Sequence, residues 1–119
     1  MFKTVDHLNQ QYWRFELAGS EPFQIATYTS DGHYKYHLDL GGQPPMNRRK
    51  ISLSVQLSGP EDYDGGEFET LASHDPVVAP KTKGSFILFP SWVLHRVRPV
   101  TRGVRRSLVA WIVGNNPLR

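Results

Sequence analysis

Cysteine is absent from the 119 residues, which excludes both a disulfide framework and a thiolate metal site. Long hydrophobic runs are absent too. The longest, "FILFPSWVL" at 86–94, is too short and too interrupted to cross a bilayer. The start, "MFKTVDHLNQ", has no apolar stretch of signal-peptide type, so the expectation is a soluble, cytoplasmic protein with no membrane partner. Charge of one sign is scarce as well. A net charge of +3 from 14 basic and 11 acidic residues favours solubility more than a nucleic-acid partner. No repeat, linker or low-complexity stretch divides the chain, and its length suits one hydrophobic core. Residues 1–119 are therefore expected to form a single domain.

What is present is strand-like. Residues 5–12 suit one short helix with Asp6 as N-cap. Strands are expected at 13–17, 23–28, 35–39, 50–57, 67–70, 76–79, 85–89, 95–99 and 105–113. Turn-rich segments such as "TSDG", "GGQPPMNRR", "SGPEDYDGG" and "VTRG" separate them. Many short strands with Gly/Pro punctuation predict an all-β sandwich or barrel. In 50–57, Ile51, Leu53, Val55 and Leu57 share one face and Lys50, Ser52, Ser54 and Gln56 the other. The pattern alone predicts a sheet with one wet face, although in a fold with a ligand pocket the polar face can line the cavity. In 105–113 both faces are largely apolar apart from the arginines, as in a strand covered on both sides.

The chemistry concentrates in the triplet His37-Leu38-Asp39, answered downstream by His95 and then by Arg105-Arg106-Ser107. Residues i and i+2 of an extended strand point to the same side. A third imidazole from a distant strand can then complete a two-histidine, one-carboxylate facial triad, which suits iron(II) with open coordination positions. A guanidinium beyond the last ligand can hold a carboxylate in bidentate fashion. Arg105 and Ser107 share a parity, while Arg106 has the opposite one and should face outward. His7, His33 and His74 have no matching partners and read as exposed, and Trp111 reads as core.

The stretches "HYKYHLDL" at 33–40, "RKISLSVQLSGPEDYDGGEFE" at 49–69 and "KGSFILFPSWVLHRVRPVTRGVRRSLVAWIVG" at 83–114 resemble the 2-oxoglutarate- and iron(II)-dependent dioxygenases. Within them the chain looks most like the prolyl 4-hydroxylase-type (PKHD) hydroxylases of bacteria and phages. The resemblance implies a double-stranded β-helix, or jelly roll. It implies that His37, Asp39 and His95 hold iron(II), and that Arg105 and Ser107 hold the far carboxylate of 2-oxoglutarate. It also implies that Tyr28 sets its hydroxyl against that cosubstrate, with Gln56 a further candidate for the same pocket. The intact Asp39 favours hydroxylation over halogenation. O2 is the oxidant, and ascorbate is the expected rescuer of over-oxidised iron. The acceptor is expected to be a peptide, protein or small molecule, with peptidyl proline the leading guess. Gly65-Gly66 resembles the family's tight turn into the next strand.

The loop at 41–49 reads as a lid or substrate contact, and its Arg48 and Arg49 suggest a peptide with acidic neighbours around the hydroxylated residue. Family members usually cover the outer sheet face with N-terminal helices. Only about a dozen residues precede the first expected strand here, so the chain looks shortened at its start, and a second copy counts among its candidate partners. Besides a truncated piece of a larger enzyme or dimer, two alternatives stay open. One is an alkylated-base demethylase whose phosphate contacts come from Arg48, Arg49, Lys50, Arg96, Arg98 and Arg102. The other is a non-catalytic jelly roll that binds metal or ligand without turnover.

Overall fold

The computed structural model describes residues 2–115. The chain starts as helix α1 (Phe2–Leu8), which runs into one wide helical turn over Asn9–Trp13. Eleven strands follow: β1 (Gly19–Ser20), β2 (Gln24–Tyr28), β3 (Tyr34–His37), β4 (Arg49–Gln56), β5 (Tyr63–Gly65), β6 (Phe68–Leu71), β7 (Val77–Val78), β8 (Phe86–Pro90), β9 (Leu94–Val97), β10 (Val100–Gly103) and β11 (Arg105–Val113). All pairings are antiparallel. The major sheet runs β1-β11-β4-β8, with β2 sharing the β1 edge of β11, and the minor sheet runs β3-β9-β6-β7. A ribbon of β5 and β10 completes the jelly roll.

Two apolar clusters hold the major sheet, one on each side. Outside, Val5 of α1 packs on Ile51 and Ile112, flanked by Trp13, Phe15, Leu17 and Leu88. Inside, Phe68 and Val97 of the minor sheet meet Phe89 of the major one, with Tyr28, Ile87 and Val93 around them. Side-chain alternation on β4 and β11 makes this double use possible. Ile51, Leu53, Ala110 and Ile112 are buried outward, while Ser52, Ser54, Gln56, Arg105 and Ser107 are buried inward. The polar face of β4 is thus turned into the molecule and is not the wet face that its pattern suggests.

Other expectations shift. Residues 13–17 form no strand. Buried Asn9 donates from Nδ2 to the Phe15 carbonyl at 2.9 Å and accepts the Phe15 N–H at 2.8 Å, satisfying the backbone groups that a ladder would use. The α-helix ends at Leu8, so the expected 5–12 helix is displaced, and Asp6 lies inside it, not at its cap. β5 and β10 arise in segments that read as turns. Both end on glycines with positive φ, Gly65 at 71° and Gly103 at 77°. A Cβ on Gly103 would stand 2.0 Å from the Asp62 carbonyl oxygen, and one on Gly65 would stand 2.3 Å from that of Pro99. Glycine is what lets these two short strands approach.

Candidate active site

β3 ends at His37, and Asp39 follows one residue beyond the strand, so the triplet spans a strand end and not the strand interior. His37 lies directly across the ladder from His95 on β9. The Asp39 backbone is fixed by its N–H, which donates to the Ser91 carbonyl at 3.1 Å, and the Leu40 N–H shares that acceptor at 3.0 Å. Strand pairing and one loop contact therefore bring three distant side chains together. Asp39 Oδ1 stands 3.4 Å from His37 Nε2 and 3.2 Å from His95 Nε2, and among the described residues this trio is the group that can hold a metal ion.

The protonation pattern suits metal binding. His37 Nδ1 lies 2.7 Å from the Lys35 carbonyl oxygen and His95 Nδ1 lies 3.0 Å from that of Val93. A carbonyl only accepts, so each Nδ1 donates a proton there and each Nε2 is turned toward Asp39. Burial lowers the pKa of His37 and favours the neutral ring. Burial would raise the Asp39 carboxyl, but His95 and the Ser52 hydroxyl outweigh it and hold the group at about 2. Ser52 Oγ donates to Asp39 Oδ2 at 2.5 Å and sits 3.0 Å from Ser91 Oγ. One carboxylate oxygen is thereby engaged, and the other is turned to the imidazoles.

These groups open into a cavity of about 570 Å³ between the two sheets. Arg105 and Ser107 line it from β11, and Tyr28 lines it from β2 as the cross-strand partner of Arg105. Arg105 is only 1% exposed. Its Nη2 donates to Gln56 Oε1 at 3.0 Å, its Cζ lies 5.4 Å from the Tyr28 ring centre, and its Nε has no hydrogen-bond partner. No carboxylate among the described residues pairs with it. A buried cation without a counter-ion is costly unless an anion completes it, so the cavity is built to receive one at this end. Burial raises the Tyr28 phenol and keeps it a neutral donor. Gln56 does not line the cavity. Its Nε2 donates to the Pro80 carbonyl at 3.0 Å, which turns its carbonyl oxygen to Arg105 and makes it a support for that side chain. Arg106 is exposed, as its parity predicts.

Three features go beyond the sequence reading, which places Arg49 on the rim but as a free cation. Arg49 lines the cavity and is held by Glu21 in a two-pronged pair at 2.5 and 2.8 Å. Its guanidinium carbon lies 3.9 Å from the centre of the Trp111 ring, which also lines the cavity and is no mere core residue. Tyr34 stacks on His37 with ring centres 3.8 Å apart. A signal for Arg49 could have come only from the bulge where Ile51 faces Ile112 but Arg49 faces Val113, which turns Arg49 to the side of Ser52. His7, His33 and His74 are exposed.

Of the six cations considered for phosphate binding, Arg48 is exposed with no ion pair among the described residues, and the other five are paired or buried. Glu21 takes Arg49, Lys50 is buried, Glu69 takes Arg96 and Arg98, and Asp64 takes Arg102. Among the described residues, no helix is long and apolar enough to cross a membrane.

Comparison with known proteins gives this geometry its context. The family profile of the 2OG-Fe(II) oxygenase superfamily matches residues 23–113. A PKHD-type hydroxylase of Synechococcus sp. (strain JA-2-3B'a(2-13)) is 38% identical over 91 residues, covering 74% of this chain and 41% of its own. The chain thus spans about two fifths of the length of the curated relatives it matches. The crystal structure of a Pseudomonas putida prolyl-4-hydroxylase superposes with a TM-score of 0.80 at 26% identity, covering 96% of this chain and 63% of that one. A Trichoplax adhaerens prolyl hydroxylase, solved with a hypoxia inducible factor oxygen degradation domain peptide fragment, gives 0.79 at 19% identity over 97% and 53% of the two chains. The matched span takes in β2 through β11, and with it the His-Asp-His trio and the buried arginine; the chain belongs to the 2OG-Fe(II) oxygenase superfamily.

Proposed function

We propose that this chain is a 2-oxoglutarate- and iron(II)-dependent hydroxylase whose acceptor is a peptide, with proline the residue modified. The observation that carries the proposal is the pairing, in one cavity, of converging histidine and carboxylate ligand atoms with a buried arginine that lacks an anion. His37, Asp39 and His95 would hold iron(II), and Arg105 with Ser107 would hold the far carboxylate of 2-oxoglutarate, with Tyr28 beside it. Gln56 acts through Arg105 as a positioning residue. When bound, the metal and cosubstrate supply the oxidation: one oxygen atom of O2 enters a C–H bond, and 2-oxoglutarate takes the other as it becomes succinate and carbon dioxide.

The chain's own residues do the rest. With three protein ligands, His37, Asp39 and His95 would leave a bound metal room for further ligands. Ser52 keeps Asp39 aimed by one oxygen. Phe68, Phe89 and Val97 supply apolar walls that exclude water from the reacting centre. Peptidyl proline is supported by the names of the relatives, PKHD-type hydroxylase and prolyl-4-hydroxylase. Ascorbate would keep the metal reduced between turnovers.

The test is an anaerobic titration with iron(II) and 2-oxoglutarate followed by a succinate assay on a panel of prolyl peptides. A weak visible charge-transfer band is expected, and His37→Ala, Asp39→Ala and His95→Ala should each abolish it. A band that persists in all three variants removes the ligand assignment. Succinate formation with a small metabolite and with no peptide overturns the choice of acceptor.

A further inference from the structure

The mouth of the cavity has a composition that says what its acceptor must carry. Tyr34, Leu38, Leu40 and Met46 all line the cavity. Tyr34 is 52% exposed, Leu38 46% and Met46 37%. Single exposed apolar side chains are ordinary, but several around one opening form a patch that asks for an apolar partner. The patch is also held in place. The Gly41 N–H donates to the Met46 carbonyl at 3.2 Å and closes the loop between them. A Cβ on Gly41 would come 2.9 Å from Met46 Cβ, so the Met46 stem lies directly on Gly41. Leu40 is tied to the Ser91 carbonyl at the metal site, and Tyr34 lies on the His37 ring. The apolar rim and the metal ligands thus form one continuous surface.

Charge at the same mouth is cancelled. Apart from the metal trio and Arg105, Arg49 is the one charged side chain among the described residues lining the cavity. Both prongs of its guanidinium go to Glu21 and its face to Trp111, so it offers little to an acidic peptide. Arg48 is exposed but does not line the cavity. The cavity mouth itself thus offers no free cation to acidic neighbours of the modified residue.

We infer that the acceptor is a peptide bearing a large aliphatic or aromatic side chain within one or two residues of the hydroxylated position, seated on Tyr34, Leu38, Leu40 and Met46, with no acidic requirement. This rests on the hydroxylase reading above. Burying most of one leucine-sized side chain contributes enough to account for about a tenfold difference in affinity against alanine. Because the contact is apolar, it should resist added salt, whereas recognition by rim cations would weaken as salt screens them.

The test uses the full chain loaded anaerobically with iron(II) and 2-oxoglutarate, and matched prolyl peptides with leucine, phenylalanine, alanine or glutamate beside the proline. The visible band of the loaded protein reports on the hydroxylase reading, and peptide binding by fluorescence anisotropy reports on this one. Leucine and phenylalanine peptides should bind about tenfold tighter than alanine, at low and high salt alike. Leu38→Ser and Met46→Ser should shrink that ratio to about threefold or less, while Leu38→Met keeps it. No visible band overturns both readings. A band with no preference for the apolar peptides, a preference for glutamate, or no peptide binding at all overturns this inference and leaves the metal and cosubstrate chemistry standing.

Discussion

Replacing Arg105 with methionine should weaken 2-oxoglutarate binding and, in the ligand-free protein, leave stability equal or higher. The guanidinium is buried with one partner, Gln56, and an unsatisfied Nε. Removing a charge-assisted two-pronged contact to a buried carboxylate costs about 3 kcal/mol, or about a hundredfold in affinity. The same substitution takes an unpaired buried cation out of the ligand-free fold, and a hydrophobic replacement of similar volume is often neutral or stabilising by about 1–4 kcal/mol. The two effects have opposite signs, so a variant that merely misfolds cannot imitate them. Thermal unfolding with and without 2-oxoglutarate, in the presence of iron(II) under nitrogen, separates them. The parent should gain about 2.7 kcal/mol at a ligand concentration a hundred times its Kd, and Arg105→Met should gain almost nothing at that concentration. Arg106→Ala, on the exposed face, should retain the parent's response. If Arg105→Met responds like the parent, or Arg106→Ala loses as much, the cavity's anion site lies elsewhere.

Three further outcomes follow from single contacts. Ser52→Ala removes the donor to Asp39 Oδ2 and should lower metal affinity about tenfold, measured by cobalt(II) titration, while Ser52→Thr should keep most of it. Gly103→Ala forces a Cβ onto the Asp62 carbonyl at positive φ and should cost at least about 2 kcal/mol in urea unfolding. Gly84→Ala, also at positive φ but with open space around it, should cost only about 1 kcal/mol. Asn9→Ala strips both backbone bonds from Phe15 and should destabilise by about 2 kcal/mol, with loss of near-ultraviolet signal from Trp13 as the local readout.

How much of this was legible in the sequence depended on whether local pattern and tertiary pairing agreed. The 105–113 strand is observed with the bounds expected of it, because an apolar run of strand length is bracketed by Gly103 and Gly114. The start of the chain was misread because one buried side chain, Asn9, outweighs the extended propensity of residues 13–17 by taking over Phe15's backbone. β5 and β10 were missed because their sequences, "YDG" and "VTRG", are turn-like, and only pairing with each other makes them strands. A residue-by-residue pattern carries no information about a partner thirty-odd positions away.

At the site, His37 and Asp39 were legible because a two-residue spacing survives even where the strand ends between them. Arg105 was legible by parity on an unbroken strand. Arg49 was legible as a rim residue, but its orientation and its neutralisation were not, and the reason is mechanical. By simple alternation it belongs with Ile51 and Leu53, outward; the bulge opposite Val113 inserts one residue and carries Arg49 round to the cavity, while Lys50 is buried elsewhere. That one irregularity moves a cation from the surface to the mouth of the site, where Glu21 and Trp111 neutralise and cover it. A rim read from sequence as basic becomes, after one bulge and one ion pair, a rim whose character is set by Tyr34, Leu38, Leu40 and Met46. The error and the inference about the acceptor therefore have the same physical origin. Removing Glu21 offers a way back, since Glu21→Gln would free the Arg49 guanidinium and should shift the peptide preference toward acidic neighbours.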